Sequence, residues 1–446
     1  MTQGASLPLI LRFSVPILLG NIFQQLYTVV DGIVVGKSIS DNALAAVGVS
    51  FPITYMLISI FMGIGMGTSI LISQFYGNKD MVNLHRTIRT GHAMIFKTFL
   101  PLTLFGIMTA GFFLNLLQTQ AEIFDDAKLY LVIYYTGLLA QFGYVLASGI
   151  LQAIGNSRTP LLVLISSSIL HIILAILFVP VLRWGIAGIA LSTVVSQYFS
   201  WLLCLWFLNR ELPGALSFRK EDDPAESSVK EILRLGLPIS IQNVLYSFGM
   251  MVMQPLINGY GVIFVAGYNA AIRVDGFVFM PVTSIASAVT TYVGQNTGAG
   301  KTERLKEGIR STITLGMIIS LVLAAIVIPL RSPLMSLFSN DPAVIDAGNA
   351  YLVRVIPLYF ISTLQYLYMG ILRGSGISLM PTVAALVSLW AARVPSAYLL
   401  SQYFGSDNMH WCYPIGWLMG LAVLIPYYYR GSWKHKQIEL NKGKQV

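Results

Sequence analysis

Charge is scarce in this sequence. Only 11% of its 446 residues are Asp, Glu, Lys or Arg, against 55% that are hydrophobic. Soluble domains carry roughly 25% charged residues, so most of this surface is expected to face lipid. Cysteine is nearly absent: Cys204 and Cys412 each lie in or beside an apolar run, which leaves no disulfide framework and no thiolate metal spacing. No phosphate loop occurs. The stretch Gly294–Leu305, GQNTGAGKTERL, has the glycines but not the Gly-x-x-x-x-Gly-Lys-[Ser/Thr] spacing. That disfavours an ATP-driven pump on this chain. No Ser/His/Asp set or carboxylate pair points to hydrolysis, so an enzyme is not expected, nor a cofactor. The opening MTQGASLPLILRF lacks the charged n-region and cleavage site of a signal peptide, so the first hydrophobic helix is expected to be retained. The net charge of +9 is no nucleic-acid signal, because the basic residues sit in short loops rather than on a basic, aromatic-lined face.

What the chain has instead is long apolar runs, such as Ile169–Leu182 and Ile313–Leu330. They are continuous rather than alternating, which favours helices over a membrane barrel. Spans of about 20 apolar residues fall near 11–36, 44–74, 90–117, 128–152, 160–182 and 186–208, and again near 232–258, 262–294, 309–331, 348–371, 381–403 and 411–430. The expected fold is an all-α integral membrane protein of twelve transmembrane helices. Its first lobe covers 1–208, a cytoplasmic linker 209–230, a second lobe 231–430, and a basic tail 431–446. Lys and Arg concentrate on one side, for example at Lys79, Arg86, Arg89, Arg158, Lys301, Arg304, Lys306, Arg310 and Arg373. The acidic stretches Glu122–Asp126 and Asp341–Asp346 fall on the other. By the positive-inside rule both termini are expected in the cytoplasm, with the protein in the plasma (inner) membrane.

The two sets of six are related. Pro16-Ile17 with Asn21 returns as Pro238-Ile239 with Asn243, an offset of 222. Gln74 and Gly77 match Gln295 and Gly298, and Gly149-Ile150-Leu151 matches Gly370-Ile371-Leu372. Gly155, Ser157 and Pro160 match Gly376, Ser378 and Pro381, all at an offset of 221. A repeat of six spans runs the same way through the bilayer in both copies. The lobes are therefore expected to be pseudo-two-fold related about the membrane normal, as six-helix bundles around a central cavity.

Polar residues inside the spans are the candidate site. Asp31 sits between Val29-Val30 and Ile33-Val34. An acid in mid-membrane costs about 2.5–3.5 kcal/mol on insertion scales and marks a functional site by default. It can carry a proton or hold Na⁺; the bland alternative is an interfacial carboxylate, since Lys37 follows closely. Pro16 and Gly20 can hinge the first helix, or reflect the general abundance of Gly and Pro in membrane helices. His171 stands alone on the fifth span, which argues against a metal site. Ser192, Thr193, Ser196 and Gln197 form a polar stripe on the sixth, of the kind that more often joins helices than binds a ligand. Arg273 and Asp275, two residues apart, do not share a helical face, so each needs another partner. Asn21, Gln24, Tyr27, Gln152, Asn243 and Tyr246 are further polar candidates for a cavity wall.

FSVPILLGN, LYTVVDGIVVGK and ALAAVG in the first half, with AAIRVDGFVFMP, GQNTGAGKTERL and GILRGSGISLMP in the second, resemble the MATE (multidrug and toxic compound extrusion) family over essentially the whole chain. The resemblance implies export of amphipathic, often cationic small molecules, driven by inward H⁺ or Na⁺, with a cavity that opens alternately to each side. Pro16, Gly20 and Asp31 match the spacing of the DinF-like branch, and Thr193 matches its sixth-helix threonine. Where that branch has an Asn and an Asp on the fifth helix, this chain has His171 and Ala175. Where the NorM-like branch has acids on the seventh and tenth helices, it has Tyr246 and Ser362. Asp31 with Thr193 makes a thin Na⁺ site, whereas a proton needs one carboxylate. The expectation is H⁺ coupling at Asp31, His171 and Thr193, with Na⁺ at Asp31 as the lesser choice, in a monomer surrounded by membrane lipid. The alternative is a flippase for lipids or lipid-linked oligosaccharides of the same superfamily, which would use inward-facing cations. Lys97, Arg273 and Arg393 are the candidates.

Overall fold

A computed structural model of the chain describes residues 1–216 and 226–431. Part of the expected linker and nearly all of the basic tail lie outside the described residues. Every regular element among the described residues is helical, as lipid requires of segments that must satisfy their backbone internally. The first half comprises α1 (Ser6–Ser38), α2 (Asp41–Asn78), α3 (Met81–Leu116), α4 (Ala121–Thr136), α5 (Leu138–Ala153), α6 (Arg158–Ile176) and α7 (Gly185–Glu211). The second comprises α8 (Glu226–Asn258), α9 (Val262–Gly298), α10 (Thr302–Val327), the short α11 (Arg331–Ser336), α12 (Pro342–Val355), α13 (Tyr359–Gly374), α14 (Leu379–Leu386), α15 (Val394–Phe404) and α16 (Cys412–Tyr429). Eleven helical spans are long and apolar enough to cross a membrane, and twelve if the bent pair α4 and α5 is one span. The expected all-α, twelve-span fold is what the chain adopts.

Two spans are not simple rods. α4 and α5 meet at 50° across Gly137. In the second half, α12 and α13 are joined by a 3₁₀ turn, Ile356–Leu358, that contains Pro357. Leu358 is the counterpart of Gly137 at the offset of 221, so the interruption belongs to the repeat. Each half uses its own helix breaker there. Turn geometry repeats too. Gly155 (φ 99°) and Gly376 (φ 82°) are both left-handed, and only glycine enters that region without a Cβ penalty.

The chain forms two compact units. One contains Pro16–Tyr76 and Asp80–Ser240; the other contains Met1–Val15, Gly77–Lys79 and Ile241–Val446. Both α1 and α8 are thus shared, α1 between Val15 and Pro16 and α8 between Ser240 and Ile241. α1 runs unbroken through Pro16. In the first of these units the start of α8 lies directly on α2. A Cβ on Gly236 would come 2.7 Å from the Gly63 carbonyl oxygen, and one on Gly63 would come closer still to that of Gly236. Small residues allow this backbone approach, the usual route to tight helix packing in membranes. The Ser240 hydroxyl donates to the Ile60 carbonyl across the same contact, at 2.5 Å. In the other unit the N-terminal residues pack on α9, where the Ser6 and Tyr292 hydroxyls lie 2.9 Å apart.

Each unit has its own core. Phe61 and Phe142 stack at 3.5 Å in the first, and Tyr268, Tyr351, Tyr359 and Tyr413 are buried together in the second. Large apolar side chains also cover the outside, with Met108 82% and Val262 85% exposed. For a water-soluble protein such a surface would be untenable; here it matches the scarcity of charge.

Candidate functional site

Helical spacing places Tyr27 and Asp31 one turn apart on α1. α6 and α7 then bring His171, Ser192 and Thr193 to the same point. The Asp31 Oδ1 lies 3.4 Å from the His171 Nε2. That nitrogen also meets the Ser192 hydroxyl at 3.2 Å and the Thr193 hydroxyl at 3.4 Å. The Tyr27 ring leans over the imidazole, with centroids 4.3 Å apart. The His171 side chain is 1% exposed and the Asp31 side chain 21%, with its Oδ1 buried. Asp31 is therefore the open side of the site and His171 its floor.

Ser192 and Thr193 also reach the Ile189 carbonyl, at 2.8 and 3.0 Å. A hydroxyl has a single proton and two lone pairs, so each can serve that carbonyl and the imidazole together. The Asp31 Oδ1 approaches Nε2 without a hydrogen bond, and His171 Nδ1 is likewise buried without a partner. The site thus holds one imidazole nitrogen met by two hydroxyls, a carboxylate beside it, and an unpartnered ring nitrogen behind.

The residues expected from the sequence divide into three groups. Asp31, His171, Thr193 and Tyr27 converge, together with Ser192, the polar-stripe member whose hydroxyl turns to the imidazole. Gly20, one face away, lies against Leu164 of α6 with ordinary contact, since a Cβ there would sit 3.6 Å from the leucine Cδ2. Pro16 lies at the point where α1 changes unit, Gln24 is exposed, and Asn21 and Gln152 are half-buried. The third group is a separate cluster in the unit containing Ile241–Val446. The Tyr359 hydroxyl donates to Asp275 Oδ1, and the Tyr268 and Tyr413 hydroxyls lie 2.6 Å apart. The guanidinium Cζ of Arg393 is 3.6 Å from the Tyr413 ring centroid, and its Nη1 reaches the Tyr246 hydroxyl at 3.5 Å. Asp275 thus finds its partner on another helix, as its spacing from Arg273 required, whereas Arg273 is exposed on α9 and Asn243 is half-buried on α8. Tyr359, Tyr351, Tyr413 and His410 carried no signal in the sequence. They are ordinary members of apolar runs, and only the buried charges beside them single them out. No group of three or more His, Cys, Asp or Glu side chains that could hold a metal ion occurs among the described residues.

Comparison with known proteins agrees with the repeat and the fold. The family model MatE matches twice, at residues 16–177 and 238–399, so its two matches are themselves 222 residues apart. Two relatives from Bacillus subtilis (strain 168) span nearly the whole chain. The "Probable multidrug resistance protein YpnP" is 30% identical, covering 99% of both chains. The "Probable multidrug resistance protein YoeA" is 31% identical, covering 98% of this chain and 97% of its own. Among solved structures, the Vibrio cholerae MATE transporter VcmN in its bent form superposes with a TM-score of 0.89 over 97% of this chain and 97% of its own, at 18% identity. A MOP superfamily transporter from Pyrococcus furiosus Vc1 gives 0.87 over 100% and 98%, at 21% identity. A double match to one model, the full-length relatives and the shared fold lead to one conclusion: the chain belongs to the MATE (MatE) family of multi-pass membrane transporters and is not an enzyme.

Proposed function

We propose that the protein is a secondary-active exporter that exchanges amphipathic, cationic compounds for H⁺ by alternating access, with Asp31 and His171 as the coupling pair. The carrying observation is the meeting of the Asp31 carboxylate, the buried His171 imidazole and the Ser192 and Thr193 hydroxyls at one point, with Asp31 Oδ1 3.4 Å from His171 Nε2. The relatives named as multidrug resistance proteins support the export reading. The local chemistry supports the ion. A hard cation needs several oxygen ligands turned toward it, and here the Asp31, Ser192 and Thr193 oxygens all lie about the His171 Nε2. An ion among them would share that space with the imidazole. A proton needs no such cage. Ionised Asp31 holds a positive charge at the open side of the site. A proton on the carboxylate cancels its negative charge and weakens the hold on a cation. The same event changes the contact between α1 and α6, and Pro16 and Gly20 are where α1 would bend in response.

The flippase alternative called for convergence of Lys97, Arg273 and Arg393. In the unit containing Ile241–Val446, Arg273 is exposed, while the neighbours of the buried Arg393 guanidinium are Tyr246, Met250 and Tyr413. Export is the better-supported reading.

Dye efflux in everted vesicles tests it. Under an imposed pH gradient wild type should export, and Asp31→Asn should lose at least about tenfold in rate. The variant keeps the shape of the side chain but has no carboxylate at the open side to take up a proton. Efflux by the Asn variant at the wild-type rate would refute the coupling role. Efflux driven by a Na⁺ gradient with no pH gradient would replace H⁺ by Na⁺.

A further inference from the structure

The coupling pair leaves one buried charge unused. Arg393 closes a π-helical segment, Val387–Arg393, between α14 and α15. Such wide turns are frequent at functional sites, and they displace a side chain from regular helical register. The guanidinium is 7% exposed, yet its hydrogen-bond partners are poor. Nη1 reaches the Tyr246 hydroxyl at 3.5 Å, Nη2 reaches the Met250 sulfur at 3.7 Å, and Nε has no partner. The remaining support is the face of Tyr413 and the Cys412 thiol. Among the described residues no carboxylate is ion-paired with it. Asp275 is close enough for the two charges to feel each other, but Oδ1 of its carboxylate accepts from Tyr359 instead.

A guanidinium has five N–H donors in a planar fork that fits an oxyanion. Buried cations are normally paired, and this one meets a ring, a thioether, a thiol and a distant phenol. Tyr246, whose hydroxyl faces the fork, is itself 41% exposed, so the charge lies one side chain behind the surface of α8.

We propose that Arg393 and Tyr246 form an oxyanion-binding site in the unit containing Ile241–Val446, which takes the carboxylate or phosphate of an amphipathic molecule. The guanidinium supplies a bidentate contact, the phenol a third donor, and the ring of Tyr413 holds the fork in plane from behind. The oxyanion belongs either to a dissolved amphipathic substrate or to a lipid headgroup. The proposal deepens the export reading by adding anionic groups to the compounds recognised, but binding at this site does not depend on proton coupling.

The purified full-length protein is titrated in phosphatidylcholine nanodiscs with 2-naphthoate, with neutral 2-naphthamide and with a naphthylmethyl-ammonium ion, following intrinsic tryptophan fluorescence; Trp417 lies within ring contact of Tyr413. Naphthoate should bind at least about tenfold more tightly than the amide. Arg393→Gln should abolish that difference, and Arg393→Lys should retain only part of it, because an ammonium keeps the charge and the ring contact but not the fork. Tyr246→Phe tests the phenol if Arg393→Gln fails to fold, and should weaken naphthoate severalfold. Arg273→Gln should change nothing. The lipid source is read from thermal stability in nanodiscs with and without phosphatidylglycerol; stabilisation that requires Arg393, without naphthoate binding, assigns the oxyanion to lipid. Equal affinity for naphthoate and naphthamide, with no Arg393-dependent effect of phosphatidylglycerol, would overturn the proposal. Failure of Asp31→Asn to affect the ammonium compound while Arg393→Gln removes naphthoate would count against the coupling reading alone.

Discussion

At the scale of single residues the site is three oxygens gathered about one imidazole nitrogen. Replacing His171 by Leu removes the partner that the Ser192 and Thr193 hydroxyls share. Each buried hydrogen bond lost costs about 0.5–1.5 kcal/mol. His171→Leu should therefore lower the melting temperature by a few degrees. His171→Asn, whose amide can meet the same hydroxyls, should recover part of the loss. Thermal unfolding of the purified variants checks the order. Asp31 was legible in the sequence because charge is so rare there that one acid among valines stands out. Thr193 and Ser192 were legible only as members of a polar stripe. Spacing along α7 gives the stripe, but which part of it meets α6 depends on how the two helices are rotated against each other. The tyrosines around Asp275 were invisible for the opposite reason: the sequence holds 22 tyrosines, and nothing local separates the few that enclose a charge.

At the scale of elements, hydropathy located the spans but not their interruptions. α4 and α5 read as one apolar run, because a break that keeps its residues apolar leaves the hydropathy unchanged. Gly137 gives no warning either, being one of 39 glycines. Pro357 does mark the matching break in the second half, although Pro within α1 does not break that helix. The bend at Gly137 is packed against α7: an added Cβ would come 2.5 Å from Gln197 Oε1 and 3.0 Å from Val194 Cγ2. Gln197 can rotate away, so Gly137→Ala should cost only about 1–3 kcal/mol, the usual range for overpacking. Gly236→Ala should cost more, because its nearest neighbour is the Gly63 backbone, which cannot move without separating α2 from α8. A comparison of the two variants by melting temperature checks this ranking.

At the scale of the whole molecule, the internal repeat was legible from Pro16, Asn21 and their counterparts. What it could not show was that α1 and α8 are each divided between the two compact units, since that depends on tertiary packing rather than on matching residues. The repeat also shows where the halves have diverged. The counterpart of Asp31 is Met253, which is buried and apolar, while Asp275 corresponds to Thr54. The proposed coupling acid thus lies in one half and the Asp275–Tyr359 contact in the other. Export driven by a pH gradient should survive Asp275→Asn within about fivefold, the factor that the roughly 1 kcal/mol net worth of one hydrogen bond corresponds to. Orientation can be read directly because Cys204 and Cys412 are buried. A cysteine replacing exposed Asp125 should react with a membrane-impermeant maleimide added to intact cells, and one replacing exposed Glu307 should not.

The most direct measurement is the count of protons released when a cationic substrate binds the purified protein in weakly buffered solution. Wild type should release about one proton per bound cation near the pH at which Asp31 titrates, because a buried acid and a positive ligand compete for the same place. Asp31→Asn should release none. Equal release by the Asn variant, or binding by wild type with no release at any pH between about 5 and 9, would contradict the assignment of Asp31 as the coupling group.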